Sequence, residues 1–167
     1  LTGATGALTL GFDHSYDMES TFWDGGTVWA RADETEDWVV ITPDGGYNSD
    51  GGLYAWYYHG IASGASAGPY GTFENEIPGY TGHGGETATF DVTSDRAGGS
   101  VQGRWAFASD AYYDAQSGND DETEGWYVDN ILISDGTDTF LSNDGTAEGG
   151  FTAVRLGPGE MGAWEAI

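Results

Sequence analysis

The sequence predicts an all-β protein, an antiparallel two-sheet sandwich of the jelly-roll type. Short runs that alternate apolar and polar residues recur along the chain, and this period of two is typical of strands. Asp-Gly pairs lie between the runs, where tight turns need the positive φ that these residues accept. No segment carries the apolar stripe of period 3.6 that indicates an amphipathic helix. A length of 167 residues with 29 glycines fits a single sandwich domain of short strands spanning residues 1–167.

The clearest predicted strand is residues 125–134, in which strict alternation puts Asp129 on the same face as Ile131 and Ile133. Acidic residues are depleted in strands, and a buried carboxylate needs a partner. We therefore expect Asp129 to be an interior residue that binds a cation. Residues 61–85, rich in Gly, Ala and Ser, are expected to form a long loop. The predicted strands are residues 7–13, 27–32, 38–42, 53–59, 87–92, 100–109, 125–134, 137–141 and 151–156.

The charge balance is extreme, with 28 acidic residues against four basic ones and a formal net charge of −24. Like charge at this density destabilises a compact state. We therefore expect a halophilic protein, in which molar salt screens the repulsion beyond about 3 Å, together with bound cations. Nucleic acid and anionic membrane surfaces are excluded as partners, and no apolar run is long enough for membrane insertion. The absence of cysteine excludes disulfides and thiolate metal sites.

Carboxylates near the ends of predicted strands indicate a calcium site. Asp13, Asp17 and Glu19 follow one another where the first strand is expected to end, and Asp110 closes the strand at residues 100–109. Calcium takes six to eight oxygen ligands, carboxylates among them. Glu19, Asp110 and Asp129 could meet at one edge of the sandwich and bind Ca²⁺ there. For any single one of these acids the alternative is a solvated side chain of a halophilic surface.

Aromatic residues support a second interpretation, a carbohydrate-binding module. Trp56 and Tyr58 share a predicted strand and Tyr112 and Tyr113 are adjacent, so that some of these rings are expected to be exposed and to stack on sugars. Catalysis is not expected. The G-x-S-x-G match around Ser66 lacks the strand and helix that a nucleophile needs. The three histidines lack zinc-site spacing and are expected at the surface or at strand edges.

The segments FDHSYDMES, AFASD and EGWYVDN, in this order, resemble the MAM-like jelly-roll domain that accompanies immune inhibitor A-like secreted metallopeptidases and microbial surface proteins. The resemblance covers about residues 8–134, with residues 135–167 as C-terminal strands and a tail. It implies structural calcium bound through Asp17, Glu19, Asp110 and Asp129. Where the family has a second Asp, this chain has Asn130, whose side-chain carbonyl can still be a ligand.

The same resemblance implies a module without catalysis of its own, extracellular or at the cell surface, with a structural or adhesive role. Residues 1–10 lack the basic start and long apolar run of a signal peptide, so we expect a processed chain. Protein partners or self-assembly are expected, with a glycan as the alternative partner. Trp164 and Ile167 lie in a polar tail, residues 156–167, and could pair with a neighbouring subunit by strand addition.

Overall fold

The computed structural model describes residues 6–19, 23–49, 77–93, 100–108, 124–146, 151–155 and 162–166. Within these ranges every regular element is a β-strand, so the all-β prediction is confirmed. None of the residues in these ranges forms a helix long and apolar enough to cross a membrane. The strands are β1 (Thr9–Asp17), β2 (Gly25–Arg31), β3 (Val39–Val40), β4 (His83–Asp91), β5 (Gln102–Ala108), β6 (Gly125–Ser134), β7 (Thr139–Asn143), β8 (Phe151–Arg155) and β9 (Gly162–Ala166).

The strands form two antiparallel sheets. One has four strands in the order β4-β1-β6-β7, and the other has five in the order β3-β2-β5-β9-β8. Buried side chains from both sheets make one hydrophobic core, as a sandwich requires. At its centre the ring of Phe12 stacks on Phe90 and meets Trp105 of the opposite sheet edge-on, with centroids 5.5 Å apart. This is the β-sandwich that the sequence predicts.

Alternation along β1 decides which residues face the core. Leu10, Phe12 and His14 are buried, whereas Asp13 and Ser15, which flank His14, lie on the outer face. This follows from the two-residue period of a strand. In β2 nearly every residue is buried, including residues on both faces of the strand. On β1, therefore, the outer face of the four-stranded sheet carries polar side chains.

A β-bulge in β6 puts Asp129 on the opposite side of the sheet from Ile131 and Ile133. Gly11 pairs with Leu132 and Asp13 with Asp129, so that two β6 residues oppose Phe12 alone. Asn130, one of these two, has a φ of 50°, a left-handed conformation that Asn tolerates well. The prediction that Asp129 is interior is therefore wrong. Asp129 and Asn130 are both exposed, and the alternation resumes with Ile133 buried.

Two strands differ from the predicted ones, β4 in its first residue and β9 in its existence. β4 begins at His83, inside the segment predicted to be a loop. β9 was not predicted as a strand, because Gly, Ala and Glu have low strand propensity. It lies between β5 and β8 and pairs with both. The hypothesis that Trp164 adds to a neighbouring subunit is therefore wrong, since both edges of its strand are paired within the chain.

Candidate functional site

Three of the predicted metal ligands meet on the outer face of the four-stranded sheet. Asp13 of β1 lies directly opposite Asp129 of β6. The Asn130 side-chain amide donates a hydrogen bond of 2.9 Å to Asp13 Oδ2. The bulge makes this contact possible, because it turns two consecutive β6 side chains to the same side of the sheet. We call Asp13, Asp129 and Asn130 the bulge cluster.

Hydrogen bonds to Asp13 favour the charged form of its carboxyl. The Thr87 hydroxyl donates to Asp13 Oδ1 over 2.6 Å. This bond and the one from Asn130 keep the pKa of the Asp13 carboxyl below its ordinary value. Asp129 Oδ1 accepts a bond of 2.7 Å from the backbone N–H of Asn130. Like charges directly opposite each other on paired strands destabilise the pair, so a cation between the carboxylates would stabilise this part of the sheet.

The turn after β7 lies against the bulge cluster. A Cβ atom added to Gly145, which has a φ of 73°, would be 2.6 Å from Asp129 Oδ1. The Asp129 carboxylate therefore packs on the backbone of this Asp144-Gly145 turn, where only glycine fits. The adjacent Asp144 accepts hydrogen bonds from the hydroxyl and the backbone N–H of Thr146, which lower the pKa of its carboxyl. The sequence indicates a turn here, but not its contact with β6.

The chemistry of the bulge cluster fits an open cation site. It offers two carboxylates, oxygen donors of the kind that Ca²⁺ prefers. The Asn130 amide directs its NH₂ group to Asp13, so its carbonyl would become a ligand only after the amide turns over. Within the described ranges no three His, Cys, Asp or Glu residues group closely enough to hold a metal ion. The cluster thus supplies only part of the six to eight oxygens of a calcium shell. Water would have to complete it, which is typical of a weak surface site.

Asp17 and Glu19 lie away from the bulge cluster. Asp17 is four residues further along β1 than Asp13, a separation of about 13 Å at the rise of a strand. Metal–oxygen bonds of about 2.3–2.6 Å cannot span this distance, so Asp13 and Asp17 cannot be ligands of one ion. Asp17 pairs instead with His83 of β4. The Glu19 backbone N–H donates to the buried Asp24 carboxylate over 3.2 Å.

The other predicted site residues lie outside the described residues. They are Asp110 of the calcium set, and Trp56, Tyr58, Tyr112 and Tyr113 of the sugar-stacking alternative. Their roles stay predictions.

A second polar group, which the sequence interpretation missed, lies between the sheets. His14 is buried rather than at the surface, so the prediction for this histidine is wrong. Its Nδ1 accepts a hydrogen bond of 3.0 Å from the Trp126 indole, and its ring meets Tyr80 with centroids 4.3 Å apart. Burial lowers the pKa of His14, and burial followed by the nearby Glu86 carboxylate raises the pKa of Tyr80. We call His14, Tyr80, Glu86 and Trp126 the inner cluster.

The signal for the inner cluster is present in the sequence but ambiguous. His14 occupies a core-facing position of β1 by alternation with Leu10 and Phe12. Its partners are Trp126 and Tyr80, which are distant from it in sequence, and no local pattern connects the three residues.

Comparison with protein-family models, with curated proteins and with solved structures finds no match. The resemblance to the MAM-like domain therefore stays a prediction.

Proposed function

We propose that this chain is a non-catalytic, extracellular β-sandwich module of the jelly-roll type with a structural or adhesive role, and that it binds Ca²⁺ at the bulge cluster. One observation carries the calcium proposal: the ionised Asp13 lies directly opposite Asp129 on the neighbouring strand, with the Asn130 amide beside them. Two facing carboxylates repel each other. A divalent cation converts that repulsion into a contact that joins β1 to β6.

The composition supports a role for such a contact. The chain has no cysteine, so no disulfide can link strands, and its net charge of −24 opposes compaction. An ion that binds only the folded state stabilises it by mass action. β1 is a central strand of the four-stranded sheet, with β4 on one side and β6 on the other. A cation bound to β1 and β6 would therefore stabilise the pairing of two central strands rather than an edge strand.

The adhesive part of the proposal is supported by the surface around the bulge cluster. Tyr127 and Leu132, on either side of it along β6, are 56% and 43% exposed. Both lie on the outer face of the sheet, opposite Ser15 and Gly11 of β1. Exposed aromatic and aliphatic side chains beside polar groups are typical of contact surfaces between proteins. A protein partner or a second copy of the chain would therefore contact this face. Glycan binding stays the alternative prediction.

The direct test is calorimetric titration of Ca²⁺ into chelator-treated protein in 2 M KCl, where monovalent cations already screen the surface. We expect saturable binding that is lost or weakened at least tenfold in Asp13→Asn and in Asp129→Asn. The matched control is Glu34→Gln, which removes one negative charge from an exposed turn residue far along the chain from the cluster. It should bind Ca²⁺ as the wild type does.

The three variants separate a specific site from general attraction of cations. Equal weakening in Glu34→Gln and Asp129→Asn would mean that net charge alone attracts the ion, and the proposed site would be wrong. Binding that both Asp variants retain in full would place calcium elsewhere in the chain. Loss in the Asp variants alone supports the bulge cluster.

A further inference from the structure

One half of the edge strand β4 carries backbone groups that are not paired. β4 is antiparallel to β1 along its whole length. The bond of 2.9 Å from the Val92 N–H to the Leu8 carbonyl shows that even-numbered residues on this side of the pair direct their backbone groups to β1. The odd-numbered residues direct theirs away from the sheet. Within the part of the chain that the structure describes, the backbone N–H and C=O groups of His83, Gly85 and Thr87 have no partner.

The chain itself covers only the other half of this edge. The backbone N–H of Asp44 donates to the carbonyl of Thr89 over 2.7 Å, as the outward direction of odd-numbered residues requires. Residues 83–87, by contrast, are all exposed. In β7, at the other edge of the same sheet, most residues are partly buried. The open half of β4 therefore presents an accessible row of donors and acceptors, which is the template for an added strand.

The open half of β4 has few of the features that prevent pairing at a sheet edge. Such features are lysine, proline, a bulge or an inward-pointing charge. Residues 83–87 contain no lysine or proline, and their pairing with β1 has no bulge. Gly85 places no side chain on the outer face, and a Cβ atom there would be 2.8 Å from the His14 carbonyl oxygen. An extended chain can therefore approach β4 closely at Gly85, and the charge of Glu86 is the feature that remains.

Glu86 determines which kind of strand can be added. Its side chain is 56% exposed, and its carboxylate is hydrogen-bonded to the Tyr80 hydroxyl. His14 Nε2 is 4.0 Å from Glu86 Oε1, but burial lowers the pKa of His14, so the imidazole is uncharged near neutral pH. Among the described residues the carboxylate thus has no cationic partner. It repels a second copy of this chain, whose net charge is −24, and it attracts a strand that carries Lys or Arg.

We propose that an extended, basic segment of a partner protein adds to the open half of β4 as a further strand of the four-stranded sheet. Its backbone pairs with His83, Gly85 and Thr87, and a Lys or Arg side chain lies beside Glu86. Backbone bonds supply the affinity of such an addition, and alternate side chains supply its specificity. The inference does not depend on calcium, because it uses the edge of the sheet rather than the bulge cluster on its outer face.

The test is NMR of the ¹⁵N-labelled full chain in 2 M KCl, with an acetylated heptapeptide of alternating Lys and Thr as the probe. In the free protein the amides of His83, Gly85 and Thr87 should exchange with solvent about tenfold or more faster than those of Gly84 and Glu86, which face β1. The peptide should protect the three outward amides. A peptide of the same charge in which every residue is N-methylated cannot pair as a strand and should leave them unprotected.

Two substitutions separate the backbone contribution from that of charge. Thr87→Pro removes an outward N–H and no bond to β1, so the variant should fold and should bind the peptide about tenfold or more weakly. Its matched control is Thr87→Val, which loses the same hydroxyl, keeps the N–H and should bind as the wild type does. Glu86→Gln should weaken binding about two- to fivefold, the range of an exposed ion pair, and Glu34→Gln should leave it unchanged.

Four results would overturn the inference. Slow exchange of the outward amides in the free protein would mean that the edge is already paired. Equal binding by Thr87→Pro and the wild type would place the peptide elsewhere. Equal binding of a peptide with Glu in place of Lys would contradict a basic partner. Protection that increases with protein concentration, without peptide, would make a second copy of the chain the occupant.

Discussion

At the scale of single residues, the core depends on hydroxyls that are satisfied by the backbone. The Tyr47 hydroxyl donates to the Ile41 carbonyl over 2.7 Å and accepts from the Val28 N–H at 3.0 Å. Burial raises the pKa of Tyr47, which keeps its hydroxyl protonated and able to donate. This side chain connects β2 to the segment that follows β3, and the apolar part of its ring packs on Phe90 and Tyr80.

Replacing Tyr47 by Phe should therefore lower the free energy of unfolding. The Tyr47→Phe variant leaves the Ile41 carbonyl and the Val28 N–H in the core without this partner, which costs about 1–3 kcal/mol of unfolding free energy. The control, Tyr127→Phe, removes a hydroxyl from an exposed side chain and should stay within roughly 0.5 kcal/mol of the wild type. Denaturant unfolding in molar KCl measures both. Equal stability of the two variants would contradict the hydrogen bonds assigned to Tyr47.

Close packing of Trp126 on the opposite sheet requires a glycine. A Cβ atom at position 26 would be 2.5 Å from Trp126 Cε3. We expect Gly26→Ala to destabilise the fold by about 1–3 kcal/mol, the usual cost of overpacking. Gly11→Ala is the matched control, since its Cβ would meet nothing closer than the Ala88 carbonyl at 3.7 Å. If denaturation shows the two glycines to be equally replaceable, the inter-sheet contact of Trp126 is wrong.

At the scale of elements, the β6 bulge decides which side chains form the candidate site. Asp129 lies on the outer face by alternation with Tyr127, and the bulge adds Asn130 to that face, beside Asp13. The bulge depends on the left-handed backbone of Asn130, at φ 50°. This conformation costs most residues roughly 1–2 kcal/mol, but Asn and Gly adopt it readily.

Two substitutions at Asn130 isolate the backbone effect. Asn130→Ala and Asn130→Gly both lose the hydrogen bond to Asp13, but only Ala is strained at positive φ. We expect Asn130→Ala to be less stable than Asn130→Gly by about 1 kcal/mol. Urea unfolding of the pair measures this difference. An alanine variant as stable as the glycine variant would mean that residue 130 does not have a left-handed conformation.

The position of β9 makes a prediction about truncation. β9 lies between β5 and β8, so a chain that ends at residue 156 loses β9 and leaves β8 without a partner. Each net backbone hydrogen bond contributes about 1 kcal/mol, against a total stability of roughly 5–15 kcal/mol for a domain. We expect the truncated chain to lose its cooperative thermal transition.

The point variant Ala163→Pro should weaken the same strand, because Ala163 pairs with Ala106 on one side and Val154 on the other and proline cannot donate to a ladder. A truncated chain that unfolds at the midpoint of the full chain would instead favour the sequence-based hypothesis of a tail that is free for a neighbouring subunit.

The strand pattern could be predicted far better than its irregularities. Alternation predicts β6 with the bounds that the structure has, whereas the core-facing position of His14 in β1 was not predicted. Alternation cannot reveal that one residue is inserted into the pairing, although the Asp129-Asn130 dipeptide is of the kind that tolerates a bulge. β9 was not predicted because its residues have weak strand propensity, and they form a strand only through pairing with β5 and β8.

At the scale of the whole molecule, the folded state has to tolerate the mutual repulsion of its negative charges. The formal net charge of −24 in 167 residues makes the compact state sensitive to salt, and the outer face of the four-stranded sheet places two carboxylates directly opposite each other. The composition predicts cation binding in general. Which acids meet is decided by strand register, which a single sequence does not specify. For that reason Asp13 and Asp129 come together whereas Asp17 does not join them.

Thermal unfolding in 2 M KCl, with excess Ca²⁺ and with a chelator, tests whether calcium stabilises the sandwich. At 100 times its Kd, an ion that binds only the folded state stabilises it by about 2.7 kcal/mol, which raises the midpoint by roughly 5–10 °C for a chain of this size. We predict this shift in the wild type and in Glu34→Gln, and its loss in Asp129→Asn. A midpoint that is the same with calcium and with chelator would contradict the central claim that a cation at Asp13 and Asp129 stabilises the sandwich.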